Sequence, residues 1–242
     1  MEDPRKPFHF KQFKIYHDRC SMKVGTDGVL LGAWTDISNA SRALDVGTGT
    51  GLIAIMLAQR SNLNITVDAI DTDLNAFQQA KENVMNCAWN DQIRLFHSSL
   101  QEYSESTNEK YNLIVSNPPF FNSGTRSVIS GRDTARNTAS LSHEELIVAV
   151  SKLLNNDGKF ALILPFNEGT AFIELAKNKG LYCQKLVSIR PKVGKNIERL
   201  LMAFSFDKAE IEKSELVIQY EKRNDYTKEY IALTRDFYTI MD

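Results

Sequence analysis

Short apolar runs of strand length recur along this chain, at 42–46, 65–70, 93–98, 111–116, 159–164, 181–189 and 199–206, with longer stretches between them. Three of the intervening stretches, 52–58, 75–87 and 142–154, carry apolar residues three and four apart, the period of a helix with one buried face. Strands that alternate with helices pair in parallel, because each helix carries the chain back before the next strand begins. The alternation predicts an α/β fold: one doubly wound, seven-stranded, mostly parallel sheet with helices on both faces. No internal repeat and no linker rich in Pro, Gly or Ser interrupts it, so 1–242 reads as a single domain.

At 242 residues and 43% hydrophobic, the chain can bury such a sheet. Its most apolar stretch, 52–58, falls far short of the roughly 20 residues a membrane-spanning helix needs. The first ten residues hold Pro4, Pro7 and charges without an apolar core, which predicts no secretion signal. Cys20, Cys87 and Cys183 are odd in number and lack a C-x-x-C pair, as expected of reduced thiols in a cytoplasmic protein. The formal net charge is -1, so a preference for phosphate has to come from local clustering.

Scaffold signals fit the same outline. Ser142 and Glu145 form a capping-box pattern that starts a helix, and Asn156, Asp157 and Gly158 read as the turn that ends it. Tyr226, Tyr230, Leu233 and Phe237 make one helical stripe, expected to pack on the domain. The least periodic segment, 121–140, contains Arg126, Arg132 and Arg136 and reads as a long functional loop.

The first predicted strand runs into Asp45, Val46, Gly47, Thr48, Gly49, Thr50 and Gly51, and an apolar helix start follows at Leu52. Glycines so spaced allow a tight turn and bring a ligand close to the free N–H groups of a helix N-terminus. The pattern is G-x-G-x-G, one residue shorter than the dinucleotide fingerprint. A pyrophosphate needs the longer form; a cofactor without phosphates does not. The second strand ends at Asp71, where a carboxylate can hold the two hydroxyls of an adenosine ribose. Asp73 fits equally well as the cap of the helix that follows.

The fourth strand runs into Asn117, Pro118, Pro119 and Phe120. Two consecutive prolines cannot continue a ladder, so they fix a rigid turn at the edge where open α/β sheets bind ligands. The Asn117 amide oxygen and the Pro118 carbonyl are two acceptors suited to an amino group with two N–H bonds. Phe120 adds an aromatic face for a planar group.

In this order and spacing, residues 45–51, Asp71 and 117–120 resemble the signature of class I S-adenosylmethionine-dependent methyltransferases that modify an exocyclic amino or amide nitrogen. The resemblance implies a Rossmann-like domain with S-adenosyl-L-methionine as cofactor. It implies cofactor contacts from Asp45, Gly47, Gly49, Gly51, Asp71 and Asn117, with Asn117, Pro118 and Phe120 as the catalytic group. Ser99 occupies the place beside the cofactor's adenine, where many class members carry an acid.

A narrower resemblance covers nearly the whole chain. Residues 13–15 and 20–34 precede the glycine loop, 132–136 and 141–146 follow the Asn-Pro-Pro-Phe turn, and 190–195 and 226–238 complete the set. These blocks are similar to the bacterial tRNA1(Val) (adenine(37)-N6)-methyltransferase family. There the equivalents of Lys23, Thr26 and Asp27 close over the methionine end of the cofactor, which makes about residues 1–40 a cofactor-covering segment. The implied partner is the anticodon loop of a tRNA, and the implied product is N6-methyladenosine.

Adenine N6 is a poor nucleophile, because its lone pair is delocalised into the ring. Two acceptors on its hydrogens draw it toward tetrahedral geometry, so catalysis is mainly positioning and electrostatics. No strong base is required. His9, His17, His97 and His143 show neither nucleophile–base nor metal-ligand spacing, so no metal is expected, and His143 reads as a surface residue. A single-stranded, splayed loop gives up a base at low cost.

Basic residues cluster locally. The first 23 residues hold six cations against three acids, and 185–199 holds Lys185, Arg190, Lys192, Lys195 and Arg199 against Glu198. With Arg126, Arg132 and Arg136, residues Lys192 and Lys195 are the expected RNA-binding side chains of a phosphate-binding rim on a monomer.

Other readings share parts of this pattern. Methylation of an adenine in ribosomal RNA or DNA uses the same pocket chemistry. A glutamine methyltransferase would grip a side-chain amide, but only 44 residues precede Asp45, too few for the helical domain such enzymes carry there. A nicotinamide oxidoreductase would leave the Asn117 turn unexplained. A silent RNA-binding relative would have no need of intact Asp45, Asp71 and Asn117.

Overall fold

The computed structural model describes residues 5–61, 65–118 and 141–241. An eight-stranded sheet runs in the order β10-β8-β9-β7-β6-β3-β4-β5. Its strands are β3 (Arg42–Val46), β4 (Thr66–Asp71), β5 (Ile93–His97), β6 (Tyr111–Ser116), β7 (Leu154–Pro165), β8 (Tyr182–Lys192), β9 (Arg199–Ser205) and β10 (Glu212–Gln219). β9 alone runs antiparallel to its neighbours, β7 and β8; the other pairs are parallel. A separate hairpin joins β1 (Phe8–His9) to β2 (Lys14–Ile15).

Alternation along the central strands divides the core in two. Ala43, Val67, Ala69, Leu113 and Val115 face one layer, and Leu44, Val46, Ile70 and Ile114 face the other. The first layer packs under α1 (Thr26–Trp34), α2 (Leu52–Arg60), α3 (Leu74–Met85) and α7 (Lys228–Thr234). The second packs under α4 (Leu100–Ser106), α5 (His143–Leu153) and α6 (Phe166–Asn178). Helices on both faces make the central strands almost continuously apolar, as parallel strands are. No helix among the described residues is long and apolar enough to cross a membrane.

Two scaffold expectations need correction. The sheet has eight strands rather than seven, because 212–219 forms an edge strand on β8. Its first four residues are exposed and only Leu216 is buried, so it carries no apolar run to betray it. Charged residues on such an edge also block pairing with another chain. The Asn156-Asp157-Gly158 segment lies inside β7 rather than between elements. Pairing there jumps from Tyr111↔Leu154 to Leu113↔Lys159, so the turn residues are absorbed as a bulge. A Cβ on Gly158 would stand 2.9 Å from the Tyr111 carbonyl, which explains the glycine. The capping box holds as expected, with Ser142 accepting from Glu145 N and Glu145 accepting from Ser142 N.

Residues 10–11 meet residues 237–241. Phe10 bridges Tyr238, Lys11 N donates to the Phe237 carbonyl at 2.8 Å, and Lys11 Nζ donates to the Met241 carbonyl at 2.9 Å. Tyr230 and Phe237 of the C-terminal stripe are buried in the first layer, although α7 itself spans only part of that stripe.

Candidate active site

Because β3, β4 and β6 are parallel and adjacent, Asp45, Asp71 and Asn117 arrive at one edge of the sheet. The glycine loop leaves β3 with Gly47 at φ 71° and Gly49 at φ 57°. A Cβ at either would meet nothing within 4 Å, so the left-handed backbone, rather than crowding, selects glycine. Asp45 is wholly buried beneath the loop. It accepts from Thr48 Oγ1 at 2.6 Å and from Ala54 N at 3.2 Å, fastening the loop to α2. Burial outweighs these bonds and pushes its carboxyl up to about 7, while its Oδ1 has no partner among the described residues.

Asp71 pins the other side of the loop. Its Oδ2 accepts from Gly49 N at 2.8 Å and its Oδ1 from Asp73 N at 2.9 Å. Burial raises its pKa against those bonds. Asp73 caps α3 by accepting from Asn75 N at 2.8 Å, so the two neighbouring acids do different work.

A cleft runs along this edge in two lobes that share Met22, Gly47, Gly49 and Asn117. The larger, about 510 Å³, is lined by Asp71, Asp73, Ser99, Leu100 and Pro118. The smaller, about 340 Å³, is lined by Lys23, Thr26, Asp27, Leu52 and Arg199. At their junction the Asn117 Oδ1 is buried with no hydrogen-bond partner among the described residues. An amide oxygen left unpaired costs about 1–3 kcal/mol, which an arriving N–H donor recovers.

The lobes suit the two ends of an adenosyl amino acid. Asp71 stands where ribose hydroxyls can donate, and the second lobe offers both signs of charge to a zwitterion. Arg199 Nε donates to Asp27 Oδ2 at 2.8 Å there. Arg199 thus leaves the basic cluster in which the sequence placed it and faces the cleft. No local pattern could have paired it with Asp27, since 172 positions separate them. Ser99 lines the larger lobe, but its hydroxyl is engaged in a capping box with Glu102 at the start of α4.

Two further residues escaped the sequence reading. Asn83 and Gln79 of α3 are buried polar side chains that hold the segment leading to Cys20 and Lys23. Asn83 Oδ1 accepts from Tyr16 N at 2.9 Å, and its Nδ2 donates to the carbonyls of Tyr16 and Thr50 at 2.8 Å each. Gln79 Oε1 accepts from Arg19 N at 3.1 Å. Amides recurring on the buried face of the helical pattern were the available signal.

Of the expected RNA contacts, Lys192 ends β8 and Lys195 lies in the exposed turn after it. Arg190 and Lys185 are matched by Glu215 and Glu212 of the unforeseen strand, at 2.9 and 3.4 Å, so the local excess of cations is smaller than sequence counting indicates. Phe120, Arg126, Arg132 and Arg136 lie outside the described residues. His143 is half-buried against the edge of Phe172 rather than on the surface. Among the described residues no group of three His, Cys, Asp or Glu side chains could hold a metal ion.

Fold and cleft together define a Rossmann-like methyltransferase. The described architecture is similar to a predicted O-methyltransferase from Agrobacterium tumefaciens, with a TM-score of 0.68 at 17% identity over 87% of this chain and 96% of that one. Residues 24–173 match the Methyltransferase small domain. The chain is 46% identical to a tRNA1(Val) (adenine(37)-N6)-methyltransferase of Trichodesmium erythraeum, over 96% of this chain and 97% of that protein. It is 44% identical to one of Histophilus somni, over 97% and 98%. The chain belongs to the tRNA1(Val) (adenine(37)-N6)-methyltransferase family, and its cofactor is S-adenosyl-L-methionine.

Proposed function

We propose that this chain transfers the methyl group of S-adenosyl-L-methionine to the N6 amine of adenine 37 in tRNA1(Val), acting as a cytoplasmic monomer without a metal. The Asn117 Oδ1, buried at the junction of the two lobes without a hydrogen-bond partner among the described residues, is the observation that carries this reading. Close relatives that bear the name of this reaction across their full length support it.

The domain is a single unit in which about residues 1–40 cover the cofactor. Asp71, Ser99 and the Gly47–Gly51 loop hold the adenosyl end; Lys23, Thr26 and Asp27 hold the amino-acid end. When bound, the cofactor supplies an electrophilic methyl on a sulfonium. Asn117 Oδ1 and the Pro118 carbonyl accept the two N6 hydrogens of an extruded adenine, and Phe120 stacks on its ring. The two acceptors turn the nitrogen lone pair toward the methyl and stabilise positive charge as it develops on nitrogen. No residue needs to take a proton first, since the product sheds it once the C–N bond has formed. Arg126, Arg132, Arg136, Lys192 and Lys195 contact the RNA backbone.

Nucleoside mass spectrometry of tRNA1(Val) from cells lacking the protein tests the reading. N6-methyladenosine should vanish and return when the purified chain and cofactor are added. A tRNA that keeps its methyl group in those cells refutes it.

A further inference from the structure

We propose that the bound RNA leaves the cleft along one half of the sheet edge only, the half made by β7, β9, β8 and β10. There Phe166 and Tyr220 stack bases beside the target, and Lys192, Lys195, Lys222 and Arg223 hold phosphates. This rests on the RNA reading of the cleft and adds to it a direction and a second point of attachment.

Exposed apolar side chains recur along that half, whereas the β4 side has Leu74, 50% exposed. Phe166 follows β7, Val193 follows β8 and Tyr220 follows β10, and the three side chains are 41%, 50% and 41% exposed. A single exposed apolar residue means little, but three that follow strand ends on one edge form a platform. Unpaired bases stack on such surfaces whatever their sequence.

Shape favours the same half. Ser116 of β6 pairs with Leu162, and β7 continues to Pro165. Arg199 of β9 pairs with both Pro165 and Ile189, and β8 continues from there to Lys192 beside Gln219 of β10. Each three-residue overhang adds about 10 Å, so the edge climbs from Asn117 toward β10. Four strand spacings separate β6 from β10, about 19 Å, which leaves room for several nucleotides.

Charge among the described residues favours the same half. Among the described residues the lobe on the β4 side is lined by Asp71, Asp73, Glu102 and Glu145 and by no Lys or Arg. On the β10 side Lys192, Lys195, Lys222 and Arg223 stand against Glu198, Glu221 and Asp225. Among the described residues none of those four cations is in an ion pair.

The far attachment is built rigidly. Val193 N donates to the Gln219 carbonyl at 3.0 Å, and Tyr220 N donates to the Asp225 carbonyl at 2.7 Å. Asn224 closes this turn at φ 63°, a left-handed conformation that asparagine tolerates. The turn therefore presents Tyr220, Lys222 and Arg223 at a fixed place.

Kinetics with an unmodified tRNA1(Val) transcript, at several salt concentrations, test the proposal. The double variant Lys222→Ala/Arg223→Ala should raise KM for the transcript about tenfold with kcat nearly constant. It should also lower the slope of log affinity against log salt by about 1.5, as expected for two lost phosphate contacts. Tyr220→Ala and Phe166→Ala should each weaken RNA binding about 5- to 100-fold, the range for one lost stacking partner. Leu74→Ala, on the β4 side, should change neither quantity. Unchanged S-adenosylhomocysteine affinity by calorimetry shows that the variants are folded. Wild-type KM and salt slope in the double variant, or an equal loss in Leu74→Ala, overturns the proposal. A wild-type chain that neither binds nor methylates the transcript overturns it together with the RNA reading.

Discussion

Asn117 shows how little a single residue needs in order to define a site. Its side chain is short and uncharged, yet its oxygen is buried where the two lobes join, with no hydrogen-bond partner among the described residues. Replacing it with alanine should lower kcat on the order of 10²- to 10³-fold, the usual effect of deleting one preorganised polar contact. S-adenosylhomocysteine affinity should stay within about twofold, since the amide addresses the target amine. A parallel loss of cofactor affinity would instead assign Asn117 to the cofactor. Asp71→Asn should weaken cofactor binding about 10- to 100-fold, because it removes a charged acceptor; isothermal calorimetry reads this directly. Asp45 makes a prediction about stability. Its carboxyl is raised from near 4 to about 7 by burial, so the unfolded chain releases this proton at lower pH than the folded one. The contribution of Asp45 is therefore fully present below pH 4 and is lost as pH rises toward 7. Thermal melts should show the wild type losing stability relative to Asp45→Asn across pH 4 to 7. A difference independent of pH would mean that this carboxyl is not perturbed.

Elements bring such residues together. α1 and α2 both present their N-termini to the smaller lobe, which requires the helices to lie close. Gly32 makes that approach possible. A Cβ there would stand 2.8 Å from Met56 Sδ and 3.1 Å from Met56 Cβ, and the latter cannot swing away. Gly32→Ala should cost about 1–3 kcal/mol in urea denaturation, the range for overpacking a filled core. An unchanged midpoint would show that the two helices slide apart freely. At the far ends of these helices Arg60 donates to the carbonyls of Gly32 and Thr35, at 2.8 and 2.7 Å, and so ties the last turn of α1 to α2. Central elements were legible in the sequence because burial on both faces writes a continuous apolar run. The edge strand β10 was not, since one neighbour and one buried residue leave its solvent-facing charges to dominate. The turn inside β7 misled for a related reason: Asn-Asp-Gly chemistry describes local backbone shape, which a bulge also uses.

At the scale of the whole molecule, the first and last segments close on each other beside α1. Phe237 is 2% exposed and its carbonyl accepts from Lys11, so the C-terminal stripe supports the segment that leads to Met22 and Lys23 at the cleft. Phe237→Ala should destabilise the chain by about 3–5 kcal/mol, the cost of removing a buried aromatic ring. Stability measured by denaturation should fall accordingly, and a loss below 1 kcal/mol would show that the C-terminal stripe is dispensable packing. Along the chain, residues next to strand ends determined the class of chemistry. Gly47, Gly49, Asp71 and Asn117 owe their place at the cleft edge to local sequence, because a strand followed by a turn puts its next residues there wherever the strand lies in the sheet. Tertiary structure alone decided which distant groups share that edge. Arg199 meets Asp27, Asn83 holds Tyr16, and Glu212 and Glu215 offset Lys185 and Arg190, each through a strand or helix order that no short window contains. Hydrogen bonds and ion pairs act over a few ångströms of space whatever the separation in sequence, so the sheet had to be assembled before these partners could be known.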